Sequence, residues 1–160
     1  MKVILMDFDG VVHSYKSGWK GISNIPDEPV VGILEFIVET ILGENDYEIQ
    51  IYSARSKKYA GRRAMKEWLT IWLYREIETI NDIDSKKWKD MWQWLILNDY
   101  QSMDTWDVHV TEAVDKFIKK IKFPRKKPSA YITVDDRCIC FDGNADTLID
   151  KINNFKPWYK

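Results

Sequence analysis

Long apolar runs, cysteine clusters and an excess of charge of either sign are all missing from this 160-residue chain. Its two cysteines, Cys138 and Cys140, are too few for a disulfide framework, and neither Cys/His metal spacing nor a CxxC redox pair accompanies them. A reducing cytosol is the expected compartment. Lys and Arg number 24 against 25 Asp and Glu, so no global field announces a nucleic-acid or membrane partner, and any basic site has to be local. The first apolar stretch, residues 3–6, meets Asp7 at once and reads as neither a signal peptide nor a membrane span, so no membrane partner is expected. Internal repeats, low-complexity tracts and dividing linkers are also missing. With 45% apolar residues a chain of this length can bury one substantial core, which predicts a single domain over residues 1–160. What is abundant is tryptophan, with eight in 160 residues, more than an ordinary core of this size needs.

The order of elements predicts an α/β fold. Lys2-Val3-Ile4-Leu5-Met6 is a continuous β-compatible run halted by Asp7-Phe8-Asp9-Gly10, the pattern of a central strand buried on both faces. After a polar loop, Pro29 opens a helical pattern through Ile33, Phe36, Ile37 and Ile41, closed by Gly43. Tyr47-Glu48-Ile49-Gln50-Ile51-Tyr52 reads as a strand ending at Ser53, and residues 64–77 as a helix carrying Ala64, Trp68 and Trp72 four apart. This β-α-β-α order argues for a parallel sheet with right-handed crossovers. Two further helices are expected, one capped by Ser85 with Trp88, Met91, Trp92 and Leu95, the other capped by Thr111 with Val114, Phe117, Ile118 and Ile121. Tyr131-Ile132-Thr133-Val134 is a second short apolar strand, stopped by Asp135-Asp136. Residues 138–141 suggest another strand, and Leu148, Ile149 and Ile152 a closing helix.

Three strand ends carry polar clusters: Asp7-Phe8-Asp9-Gly10, Ser53-Ala54-Arg55 and Asp135-Asp136-Arg137. Ligands of open α/β sheets bind at the carboxyl ends of the strands, so these clusters should converge. Four carboxylates in one place resist ionisation unless a cation sits among them, and hard oxygen ligands select Mg²⁺. A turn after Asp7, eased by Gly10, would let Asp7 and Asp9 face one substrate. One carboxylate can then attack phosphorus while its neighbour protonates the leaving oxygen and later activates water. Ser53 would donate to a phosphoryl oxygen and a lysine would neutralise it, which is the positioning and electrostatics that phosphoryl transfer needs.

These residues resemble the haloacid dehalogenase superfamily in its compact phosphatase-like form, found in phage and bacterial genomes. Asp7-Phe8-Asp9-Gly10-Val11-Val12 matches the first motif, the apolar run ending in Ser53 the second, and Val134-Asp135-Asp136 the fourth. Lys127, before Pro128, best matches the third-motif lysine, with Lys126 in reserve. The resemblance implies a Rossmann-like three-layer fold around a mainly parallel sheet. It also implies Mg²⁺ held by Asp7, the Asp9 backbone carbonyl and one or both of Asp135 and Asp136. The expected activity is a phosphomonoesterase in the cytoplasm, or in a host cytoplasm if the gene is a phage's, with nucleoside monophosphates or another small phosphate ester as substrate. The resemblance covers residues 1–60 and 120–143; nothing in the stretch between matches a family motif.

Other residues carry two readings. Arg55 and Arg137 could each contact a substrate phosphate or pair with a surface acid. His13 could touch substrate, though a loop histidine without a partner motif is more often a surface residue. Gly18 and Trp19 fall where the superfamily places a mobile flap, and Trp19 could stack on a base or simply pack. Lys57, Lys58, Arg62, Arg63 and Lys66, with six more cations in residues 119–127 around Phe123, read first as solvated faces, yet they flank the expected site. A nucleic-acid end is therefore the rival substrate, because Asp135-Asp136-Arg137 also resembles the phosphatase part of polynucleotide kinase-phosphatases. The Trp-rich residues 64–118, with Trp68, Trp72, Trp88, Trp92, Trp94 and Trp106, are expected to pack as a helical insert, as a small cap or as a homodimer contact. Cys138 and Cys140 share one face of a strand and are expected to be buried thiols. A non-catalytic binding or assembly protein that keeps this fold is the alternative from another class; it predicts that Asp7→Asn leaves function intact.

Overall fold

The computed structural model describes residues 1–79, 106–140 and 142–159. The β-branched and apolar run at the start forms β1 (Lys2–Met6), the middle strand of a three-stranded parallel sheet ordered β2-β1-β3. Strand β2 (Tyr47–Ile51) lies on one side and β3 (Ile132–Val134) on the other. The register pairs Ile4 with Ile49 and Ile132, and Met6 with Ile51 and Val134, so these side chains share one face of the pleat.

Beyond β2, the Ile51 N–H donates to the Lys122 carbonyl at 2.9 Å and the Lys122 N–H donates to the Ile49 carbonyl at 3.3 Å. This parallel bridge continues the sheet outward by one position. The chain thus steps from β1 to β2 to Lys122, then returns past β1 to lay down β3. That reversal makes the carboxyl ends of β1 and β3 the topological switch point, the place where open parallel sheets leave a crevice.

Helix α1 (Ile33–Leu42) turns Leu34, Ile37 and Val38 into the core and ends at Gly43, whose N–H donates to the Glu39 carbonyl. It starts four residues after Pro29, because Pro29 bridges to His13 and Val30 bonds back to Val12. Its outer face carries Phe36, 41% exposed. Helix α2 (Tyr59–Thr79) begins five residues before the expected Ala64, and α3 (Trp106–Lys119) runs straight through Thr111, which is therefore interior and not a cap. Ile4, Met6, Ile49 and Ile51 join residues of all three helices in one cluster, with Phe8, Met65, Leu69, Leu73, Val114 and Phe117 among its members. Trp68 and Trp72 pack as the four-residue spacing predicts, their rings 6.0 Å apart.

The last helix, α4 (Leu148–Asn153), buries none of its residues, so it does not build the second helical layer of a three-layer arrangement. Residues 138–140 are not a strand, and both cysteines are exposed and free, because β3 is an edge strand whose following loop has no covering layer among the described residues. Ser85, Trp88, Met91, Trp92, Trp94 and Leu95 lie outside the described residues, as does the Trp106 side chain. Among the described residues no helix is long and apolar enough to cross a membrane.

Candidate active site

Where β1 ends, the Asp7 N–H donates to the Val134 carbonyl at 2.8 Å, which locks the tip of β1 to the tip of β3. The chain then turns sharply: Phe8 is buried among the core aromatics, and the N–H groups of Val12 and His13 both reach back to the Phe8 carbonyl. Gly10 permits this turn with a φ of +96°. The Asp7 carboxylate accepts from the Phe8 N–H at 2.7 Å. One oxygen from each of Asp7, Asp135 and Asp136 lies within 4.8 Å of the others, so two neighbouring strands deliver three carboxylates to one point.

The electrostatics of that point are unbalanced. Burial pushes the Asp7 carboxyl up to about 7, and Asp135, Asp136 and Asp9 push it the same way against the Phe8 hydrogen bond. Both oxygens of Asp136 are buried without a hydrogen-bond donor among the described residues; the Arg137 Nε stands 3.5 Å from one of them. Unmet buried acceptors of one charge are costly unless something positive completes them. The residues present therefore fit a small divalent cation bound by hard oxygens.

Beside the acids lies a cavity of about 190 Å³. Asp7 and Asp135 line it together with Ser53, Ala54 and Lys127, over a floor of Leu5, Tyr52 and Thr133. Lys127, and not Lys126, is the lysine at this cavity. Ser53 is buried: its Oγ accepts from the Arg55 N–H at 3.0 Å and donates to Met65 Sδ at 3.7 Å, and its own N–H donates to Ser56 Oγ, a reciprocal cap on the turn Ala54–Lys57.

Asp9 does not join the acidic cluster. Its two oxygens face Arg55 Nε at 3.2 and 2.9 Å, and Oδ1 also meets His13 Nδ1 at 3.0 Å. His13 is fully buried, not a surface residue, because it stands between Asp9 and the Asp27 N–H, which donates to its Nε2 at 3.2 Å. That acceptor role places the ring proton on Nδ1, where it donates to Asp9. Arg55 is fully buried too and meets no surface acid. Its Nη1 donates to the carbonyls of Gly21 and Ile22 at 2.6 and 2.9 Å, and Trp19 stacks on its guanidinium at 4.4 Å. Burial alone would lift the Asp27 carboxyl, yet two hydrogen bonds from Ser17 hold it below the usual carboxylate range. The expected flap is thus stitched to the core through Arg55, His13 and Asp27.

Three aromatic residues at the site were not singled out by the sequence. Trp158 Nε1 donates to the Gly10 carbonyl at 2.7 Å. The Tyr159 hydroxyl accepts from Arg137 Nη2 at 2.9 Å, its ring meets Tyr15 edge-on, and Arg137 lies 5.7 Å from the Tyr15 ring centre. Burial and the adjacent Asp136 raise the Tyr159 phenol, against Arg137. Residues 155–159 therefore cross the glycine turn beside the acids. The only sequence signal for this is an aromatic pair in an otherwise polar segment.

No protein-family model, curated protein or solved structure matched the chain.

Proposed function

We propose that the protein is a Mg²⁺-dependent phosphohydrolase of the haloacid dehalogenase type, acting on a small phosphate ester, nucleoside monophosphates foremost. The observation that carries this reading is the meeting of Asp7, Asp135 and Asp136 at the carboxyl ends of adjacent parallel strands, beside a cavity that also holds Lys127. In this reading an Asp7 oxygen attacks phosphorus as the bond to the leaving oxygen breaks, giving an aspartyl-phosphate, and the leaving oxygen takes a proton from Asp9. Asp9 then accepts a proton from water, whose oxygen attacks phosphorus and frees inorganic phosphate and the Asp7 carboxylate. Lys127 neutralises the phosphoryl oxygens, and the Ala54 edge of the cavity positions them. Asp7, Asp135 and Asp136, with the Asp9 carbonyl, would hold Mg²⁺, which supplies charge neutralisation at the phosphoryl group. Arg55 Nε and His13 Nδ1–H both donate to the Asp9 carboxylate, so in this reading Asp9 first takes up a proton from solvent, giving up one of these contacts, before it donates to the leaving oxygen.

The test is phosphate release from nucleotides, sugar phosphates and phosphorylated oligonucleotides, with and without Mg²⁺. Turnover that needs Mg²⁺ and falls at least about 1,000-fold in Asp7→Asn supports the assignment. Silence across the panel, or an Asp7→Asn variant as active as the parent, overturns it.

A further inference from the structure

A second and larger concavity, about 780 Å³, opens along the first half of α2. Arg62, Arg63 and Lys66 line it, with Tyr59 and Phe123 as its aromatic members. Two separate chain segments connect it to the candidate active site. Ser53 and Ala54 wall the small cavity, and one tight turn later Tyr59 and Arg62 wall the large one. On the other side Phe123 borders the large groove and Lys127, four residues on, borders the small cavity. The groove lies at the end of α2 away from Thr79, and Tyr59 is 74% exposed within it.

Of the cations lining the groove, Arg63 is paired and Arg62 donates to the Ser56 carbonyl at 2.6 Å, while Lys66 has no carboxylate partner. The acids of the groove are Glu67, which is held by Arg63 at 2.6 Å, and Asp115. Among the described residues Lys57, Lys58, Lys66, Arg125, Lys126 and Lys127 have no carboxylate partner, although the chain as a whole has a net charge of −1. Unpaired cations flanking a groove of a balanced protein, beside the exposed Tyr59 ring and the half-buried Phe123, match the chemistry of a flexible polyanion whose units carry stacking faces.

We propose that this groove binds a single-stranded nucleic-acid segment whose terminal phosphate enters the Asp7 cavity. The inference rests on the phosphohydrolase reading and extends its substrates from mononucleotides to an end-phosphorylated strand. Lys66, Arg125 and Lys126 contact successive phosphates, and Tyr59 and Phe123 stack on bases without selecting sequence. Lys127 marks the point where the track meets the acids.

Binding is read by fluorescence anisotropy of a labelled 12-residue single-stranded DNA with a terminal phosphate, on Asp7→Asn so that no turnover occurs. Adding Lys66→Ala and Arg125→Ala, both at exposed positions, is expected to weaken binding about 10-fold at 50 mM salt and to lower the salt slope by about 1.4. Tyr59→Ala should weaken binding about 5-fold with the slope unchanged. In the active protein the same changes should leave mononucleotide turnover as it is. A flat salt dependence, equal binding by the variants, or an equal loss on mononucleotide and oligonucleotide overturns the proposal. Phosphate release from neither substrate, with salt-dependent and variant-sensitive anisotropy intact, overturns the hydrolase reading and leaves the groove assignment supported.

Discussion

Gly10 is the residue around which the acidic cluster closes. A Cβ there would lie 2.6 Å from Asp136 Cγ and 2.9 Å from Tyr159 Cε1, and its backbone sits at a positive φ that side chains rarely adopt. Gly10→Ala therefore has to displace Asp136, Tyr159 or the turn itself. The expected result is roughly 2 kcal/mol of lost stability together with at least about 10-fold weaker Mg²⁺ binding. Denaturant unfolding and calorimetric Mg²⁺ titration check the two halves separately; a variant matching the parent in both would mean that the close packing over Asp136 has no role. Asp7, Asp135 and Asp136 are legible in the sequence because each follows an apolar run that stops abruptly, which is a local signal. Arg55 as the partner of Asp9 is not, since 46 residues separate them and only tertiary folding brings them together. Trp158 stands 148 residues from Gly10, and no spacing rule reaches that far.

At the scale of elements, the loop of residues 14–28 is held from outside by Arg55, together with His13 and with Trp68, whose Nε1 donates to the Asp27 carbonyl at 3.2 Å. Arg55 reaches the Gly21 and Ile22 carbonyls with Nη1 while its Nε holds Asp9, so the fork ties the loop to the glycine turn after β1. Lysine keeps the charge but offers a point in place of a fork. Arg55→Lys is thus expected to cost about 2 kcal/mol and to raise amide exchange in residues 19–24 while β1 keeps its protection. Hydrogen exchange followed by mass spectrometry reads this directly, and a uniform rise across the chain would refute the local coupling. The same scale shows why boundaries were harder to read than element types. Apolar periodicity predicts α1 and α3, but Pro29 is drawn into a bridge with His13, and Thr111 gives no start signal strong enough to interrupt a helix already running. Exposed cysteines in place of a buried strand after β3 have a related cause: an edge strand needs a covering layer, and α4 buries nothing.

For the whole molecule, the parallel sheet was legible because alternating β and α segments favour it, whereas the order β2-β1-β3 was not, since it depends on the return from Lys122 to β3 that sets the switch point. That topology gathers three carboxylates at one place, and the fold as a whole must carry their repulsion. Asp7 has a folded-state value of about 7 against an ordinary 3.8, raised first by burial and then by its acidic neighbours. The folded metal-free protein thus holds a proton that the unfolded chain releases, so stability from this group is fully present below about pH 4 and is lost as pH rises through about 7. The shift sets an upper bound of about 4 kcal/mol, and partial solvent access reduces the expected loss to roughly 2 kcal/mol. Asp7→Asn removes the titrating group, so the variant should lose this slope and be the more stable protein at pH 8 without metal. A divalent cation favours the ionised carboxylates, so Mg²⁺ should raise the melting temperature of the parent more at pH 8 than at pH 5, and the variant's much less. Melting curves over pH 4–8, with and without Mg²⁺, separate these outcomes: parent and variant curves that run parallel in every condition would show that Asp7 neither bears the strain nor binds the metal.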